Sequence, residues 1–269
     1  MFRTLKISDP RFESAGLRQL TVKSPSLKGR GDISLFIPSG IKSIANNVPV
    51  LILLHGVYGS HWSWSLTAGA HLTAAKLIEA RLIRPMVLAM PSDGLWGDGS
   101  GYVAHAEQDF ERWISEEVPA AVRAVVPETS EHSPLFIAGL SMGGFGALRI
   151  GAKYPNLFKG IAAHSAITQW EEMKHFVEED FEEFPVFKED RDIFELLLKN
   201  KAQLPPLRFD CGKDDLLIEG NRLLHQKLKD AHIKHTYEEF PGQHEWPYWE
   251  EHLVETLLFC DQVLSGELG

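Results

Sequence analysis

Cysteine is scarce in this 269-residue chain, which holds only Cys211 and Cys260. A disulfide-held fold uses more of them in a shorter chain, so both thiols are expected to be small buried apolar groups. Long apolar runs are missing too, and none approaches the ~18–20 residues that a membrane span needs. The opening MFRTLKISDPRFESAG has two early basic residues with no apolar core behind them. It does not read as a secretory leader, and the cytoplasm is the expected compartment. Clustered positive charge is also lacking, with 27 Lys+Arg against 37 Asp+Glu and a formal net charge of −10. Neither nucleic acid nor a membrane is therefore an expected partner. No H-x-x-x-H or paired-cysteine spacing links His61, His71 and His105, so no metal is expected. The glycine-rich SDGLWGDGSGY at 92–102 lacks the spacing of a dinucleotide or phosphate loop, and no cofactor is expected. It reads as a surface loop at a strand end, with Trp96 or Asp98 as candidates to line a site. Repeats, low-complexity tracts and linkers are absent, which predicts one domain over 1–269.

What the chain does contain is an alternation of apolar runs and helical periodicity. LRQLTVKS (17–24) and ISLFIPSG (33–40) read as two antiparallel strands. VPVLILLHG (48–56) is continuously apolar, as a strand buried on both faces must be. A helix is expected over 74–82, a buried strand over 84–92 and a long helix over 105–126, where Phe110, Ile114 and Val118 repeat every four residues. Strand 133–140, helix 143–155, strand 158–166, strand 204–212, helix 216–231, strand 234–242 and helix 246–264 complete the pattern. This predicts an α/β fold with a mostly parallel central sheet and helices on both faces. Residues 167–203 interrupt it. Within them, 171–195 hold eleven acids interleaved with Phe176, Phe181, Phe184 and Phe187, just after Trp170. The expectation is a small acidic cap insertion whose aromatics face a pocket.

FIAGLSMGGFGALRI (136–150) carries a serine between glycines, after an apolar strand and before a helix. GLSMGG fits G-x-S-x-G, the strand-to-helix elbow that presents a serine nucleophile at a sheet edge. A bare serine is a poor nucleophile, so Ser141 needs a base and an acid, in the chain order Ser, acid, His. The turn after strand 204–212 offers Asp214 and Asp215, of which one can cap the next helix and the other serve the site. His244 follows the last strand in PGQHEWPYW, where a sheet-edge loop reaches Ser141. An acyl-transfer oxyanion also needs two donors. The elbow supplies the Met142 N–H, and the loop after the early buried strand supplies that of Val57. His55 then shapes that loop rather than catalysing.

LLHGVYGSHWSW, FIAGLSMGGFGAL, GKDD and PGQHEWPYWEEHL together resemble the putative-esterase (esterase D) family of α/β-hydrolases over roughly residues 30–262. That family includes S-formylglutathione hydrolases, feruloyl, acetyl, tributyrin and enterochelin esterases, and mycolyltransferases. The resemblance implies an α/β-hydrolase fold and a serine carboxylic-ester hydrolase acting through an acyl-enzyme. It assigns the catalytic acid to Asp215, leaving Asp214 as the cap, and the second oxyanion donor to Val57. The elbow and the early region look more like the acetyl, feruloyl and short-acyl branches, which implies small-molecule or glycan esters as substrates. Trp96, Trp170 and Trp246, with Trp62 and Trp64, are candidate substrate-stacking surfaces. An acyltransferase or a thioesterase would use the same triad, and a catalytically silent binding protein would not keep it intact. No sequence feature decides between a monomer and a homo-oligomer.

Overall fold

Three antiparallel strands open the chain: β1 (Leu5–Ile7), β2 (Leu17–Ser24) and β3 (Gly29–Phe36). The computed structural model describes residues 2–43, 46–179, 186–187 and 190–268. After β3 come β4 (Val50–Leu54), α1 (Ser63–Leu66), α2 (Ala70–Glu79) and β5 (Val87–Pro91). A hairpin of β6 (Ala104–His105) and β7 (Gln108–Asp109) leads into α3 (Phe110–Arg112), a π-helical turn at Trp113–Glu117 and α4 (Val118–Val125). Then follow β8 (Leu135–Leu140), α5 (Met142–Lys153), β9 (Gly160–His164) and α6 (Ile193–Lys199). The order ends with β10 (Leu207–Gly212), α7 (Ile218–Asp230), β11 (Thr236–Phe240) and α8 (Trp246–Ser265).

Among the described residues the main sheet has nine strands, in the order β1-β2-β3-β5-β4-β8-β9-β10-β11. From β5 to β11 every neighbouring pair is parallel. Parallel neighbours need crossover connections, and the helices that make them cover both faces. In β4, Val50, Ile52 and Leu54 enter one core with side chains of α4, α5 and α7, while Leu51 and Leu53 join Leu253 and Leu257 of α8 in the other. A strand buried on both faces has no polar position, hence VLILL. This is the mostly parallel, doubly covered sheet that the alternation predicts.

Three local expectations are corrected. The helix over 105–126 starts only at Phe110, because Ala106 and Glu107 adopt φ +49° and +62° and turn β6 back onto β7. Asp109 then caps the helix, its carboxylate accepting the Arg112 N–H at 2.8 Å. The strand placed at 33–40 instead spans Gly29–Phe36, running back to the turn that closes its hairpin with β2. The edge strand β1 was not expected at all, since three partly exposed residues leave no pattern to read.

In the acidic segment, Trp170–His175 forms a 3-10 turn, and Trp170 and Met173 enter the core. Phe187 is exposed, and Phe181 and Phe184 lie outside the described residues. A buried ion cluster ties the segment down: Arg149 and Lys153 of α5 face Glu111 of α3 and Asp190, with Lys153 Nζ 3.0 Å from each carboxylate. Burial pushes both carboxyls up, but Arg149, Lys153 and, at Glu111, the Tyr154 hydroxyl outweigh it and hold them below the usual carboxylate range. The native values therefore lie below the unfolded ones. The stabilisation is present above the unfolded range, about pH 4, and is lost as pH falls through the native values. Arg149→Met strands two buried carboxylates on one lysine. Urea unfolding at neutral pH should show a loss of about 3–5 kcal/mol, narrowing below about pH 4. An unchanged urea midpoint would show that the cluster contributes nothing.

Candidate active site

Ser141 occupies the turn between β8 and α5 at φ +53°, ψ −118°, a conformation that strains a residue with a Cβ. The surrounding backbone is too close for anything but glycine: a Cβ on Gly139 would strike the carbonyl of Gly143, and one on Gly143 the carbonyls of Leu54 and His55. The elbow is held to its neighbours. The Ser141 N–H donates to His164 O at 3.0 Å, and its carbonyl accepts from Phe145 and Ile167.

The loops after β10 and β11 meet this turn. His244 Nε2 lies 3.0 Å from Ser141 Oγ, and His244 Nδ1 lies 3.0 and 3.1 Å from the two Asp215 carboxylate oxygens. A carboxylate accepts only, so Nδ1 carries the proton and Nε2 is left to accept from the serine hydroxyl. The Asp215 side chain is fully buried, and its Oδ1 also accepts the Leu217 N–H at 2.8 Å. The assignment of Asp214 as helix cap is therefore corrected. Asp214 is exposed, and Asp215 makes the capping-type bond while facing His244. The imidazole is fixed between two rings, with Trp249 edge-on at 5.0 Å and Phe176 at 5.0 Å.

The early loop closes on the same point, since a Cβ on Gly56 would lie 3.3 Å from that of Ser141. Next to it, Val57 lines the cavity beside Ser141. The backbone N–H groups of Val57 and Met142 find no acceptor among the described residues. Met142 is buried and Val57 half-buried, so two unpaired N–H groups flank the serine at the cavity. His55 has no such freedom: Nδ1 donates to Gly56 O at 2.7 Å and Nε2 accepts the Asp93 N–H at 3.0 Å.

A cavity of about 540 Å³ opens beside Ser141, with Tyr58, Trp62, Phe176, Trp246 and Trp249 in its walls. Of the candidate stacking residues, Trp246 and Trp62 are there and three are not. Trp170 is buried against Phe145 at 5.6 Å, Trp96 packs on His105 at 4.6 Å, and Trp64 is buried with its indole N–H on Leu54 O. Asp98 stays out of the wall and binds the loop behind Tyr58. Tyr58, Trp249 and Glu245 line the cavity without having been singled out, although Glu245 and Trp249 lie in the same PGQHEWPYW segment as His244. Among the described residues no group of three or more His, Cys, Asp or Glu side chains is arranged to hold a metal.

Behind the site is a second, wholly buried Asp–His pair that the sequence did not reveal. Asp210 accepts from His164 Nδ1 at 3.0 Å and from the Tyr248 hydroxyl at 2.9 Å, and pairs with Arg208 at 2.9 Å. Thr256 accepts from Arg208 at 3.0 Å and meets His164 Nε2 at 2.9 Å, which closes the circuit. Burial pushes the Asp210 carboxyl up, but His164, Arg208 and Tyr248 outweigh it and hold it below its ordinary value. The network joins β9, β10 and α8, the three elements that carry the elbow's neighbour, the acid and the histidine loop.

The protein family described as "Putative esterase" matches residues 24–260 of this chain. The chain belongs to that family. This esterase is 29% identical over 238 residues to an acetyl esterase of Caldicellulosiruptor saccharolyticus, covering 81% of this chain and 85% of the relative. Its fold is similar to that of a ferulic acid esterase, with TM-score 0.78 and 22% identity over 97% of this chain and 99% of that one. It is also similar to S-formylglutathione hydrolase of Staphylococcus aureus, with TM-score 0.76 and 20% identity over 94% and 98% of the two chains. The esterase thus has the α/β-hydrolase fold and is a carboxylic ester hydrolase. Among its described residues no helix is long and apolar enough to cross a membrane.

Proposed function

We propose that this esterase cleaves short-chain acyl, acetyl or feruloyl esters of small alcohols or carbohydrates through an acyl-enzyme on Ser141. The observation that carries the reading is His244, within 3.1 Å of Ser141 on one ring nitrogen and of Asp215 on the other. Ser141 Oγ attacks the ester carbonyl while His244 Nε2 takes its proton. Asp215 keeps the imidazole in the required tautomer and stabilises the imidazolium that forms. The carbonyl oxygen gains negative charge between the N–H groups of Val57 and Met142. His244 then gives its proton to the departing alcohol, and water repeats the sequence on the acyl-enzyme. Trp246 and Trp62 offer flat apolar faces to the substrate, and 167–203 serves as a cap through Phe176. The acetyl esterase relative and the ferulic acid esterase fold support these acyl groups.

Steady-state hydrolysis of p-nitrophenyl acetate and butyrate, methyl ferulate, an acetylated xyloside and S-formylglutathione tests the reading. Turnover of the acetyl or feruloyl esters is expected. Folded protein that turns over none of them would overturn this substrate assignment. A new ester formed from added alcohol, at the expense of hydrolysis, would assign acyl transfer instead.

A further inference from the structure

The charge around the cavity is one-sided. Among the described residues of its wall there is no lysine or arginine, and the one carboxylate is Glu245, next to His244 in sequence. More negative charge stands behind Tyr58, in a clasp between the loop at 96–99 and the acidic segment. The Tyr58 N–H donates to Asp98 O at 2.9 Å, the Glu178 N–H to the Asp98 carboxylate at 2.7 Å, and the Asp98 N–H to the Glu179 carboxylate at 2.8 Å. The Asp98 carboxylate, and after it burial and the charges of Glu178 and Glu179, holds the Tyr58 phenol above its ordinary value. Elsewhere in the same segment acids have cationic partners, as Asp190 has Arg149 and Glu171 has Arg191. Among the described residues, Glu245, Asp98, Glu178 and Glu179 face no lysine or arginine at ion-pair distance. One carboxylate therefore stands in the wall of the aromatic cavity and three more behind its Tyr58, none of them paired with a lysine or arginine among the described residues, in a chain whose formal net charge is −10.

We propose that this cavity is an electrostatic filter for the leaving group, taking esters of uncharged or cationic alcohols and phenols and disfavouring anionic ones, with Glu245 setting the preference at the wall. The inference rests on Ser141 being the nucleophile of this cavity. An anionic leaving group brought into it meets like charge, whereas a cation meets the carboxylates and the faces of Trp62 and Trp246. The filter acts on charge rather than shape. It therefore sets this chain apart from a hydrolase built for a thioester of the anionic tripeptide glutathione, even though the two share a fold.

Three aryl acetates of similar size separate charge from shape: 4-(trimethylammonio)phenyl acetate, methyl 4-acetoxybenzoate and 4-acetoxybenzoate. Each kcat/KM is divided by the ester's rate with hydroxide, which removes intrinsic reactivity. At about 10 mM salt, where the Debye length is about 30 Å, the normalised values should fall from cationic to uncharged to anionic by about fivefold per step. At about 0.5 M salt the spread should collapse, with the anionic ester speeding up and the uncharged one little altered. Glu245→Gln should raise the anionic-to-uncharged ratio about twofold or more at low salt. Equal low-salt values for the three esters, or an anionic ester slowed by salt, would overturn the filter while leaving the catalytic reading intact. Turnover of none of the three would take both down together.

Discussion

Ser141→Ala is expected to lower kcat for ester hydrolysis by roughly 10⁴–10⁶-fold, by analogy with other serine triads. The loss should be that large because no neighbouring group can replace the oxygen. His244 Nε2 points at Ser141 Oγ from 3.0 Å, and Asp215 is buried on the far side of the ring. The Val57 and Met142 N–H groups would remain and could support a residual attack by water. The fold should survive, since alanine keeps the Cβ, the strained φ of +53° and the backbone bonds to His164, Phe145 and Ile167. Kinetics with p-nitrophenyl acetate, beside a thermal melt of both proteins, reads the two quantities separately. Undiminished turnover with an unaltered melt would remove Ser141 from the chemistry.

The second large effect distinguishes two adjacent acids. Asp215→Asn should reduce kcat by about 10³–10⁴-fold, whereas Asp214→Asn should stay within about twofold. At position 215 the amide oxygen can still take the Leu217 N–H, which leaves the NH₂ facing His244 Nδ1. The imidazole must then accept at Nδ1 and carry its proton on Nε2, pointing it at a hydroxyl whose proton it should receive. The fault is one of tautomer, so the loss should fall in kcat far more than in KM. Asp214 is exposed, and among the described residues its one polar contact is its own N–H donating to Gly242 O, which asparagine keeps. A pH–rate profile of both variants checks this, and equal or reversed losses would assign the acid to the other carboxylate.

The parallel strands were legible because burial on two faces leaves no alternative to a continuous apolar run. β4, β5 and β8 read as VLILL, VLAMP and LFIAGL, with glycine or proline close to their ends. The hairpin of β6 and β7 was not legible. Its turn rests on positive φ at Ala106 and Glu107, two residues that otherwise favour helix. The elbow serine could be read from five residues, because the close approach of backbones at Gly139 and Gly143 dictates the motif. Between Asp214 and Asp215 composition offered no choice, and only family resemblance favoured the second. Trp96, Trp170 and Trp64 were candidates for the same reason as Trp62 and Trp246, since an indole serves a core as well as a pocket wall.

By itself the sequence determined the order of the parallel strands, the serine elbow, and the aspartate pair and histidine that follow the last two of those strands. All of these are local patterns, set by the period of a strand or helix and by the few residues a tight turn tolerates. Tertiary structure alone decided which tryptophans reach the cavity and that Asp210 and His164 are buried together behind the site, while Asp215, which the resemblance favoured over Asp214, is seen there facing His244. It also decided that Asp98, Glu178 and Glu179 share one clasp although about 80 residues separate the first from the others. Such contacts depend on which faces of distant elements meet, and no local pattern in the chain records that meeting.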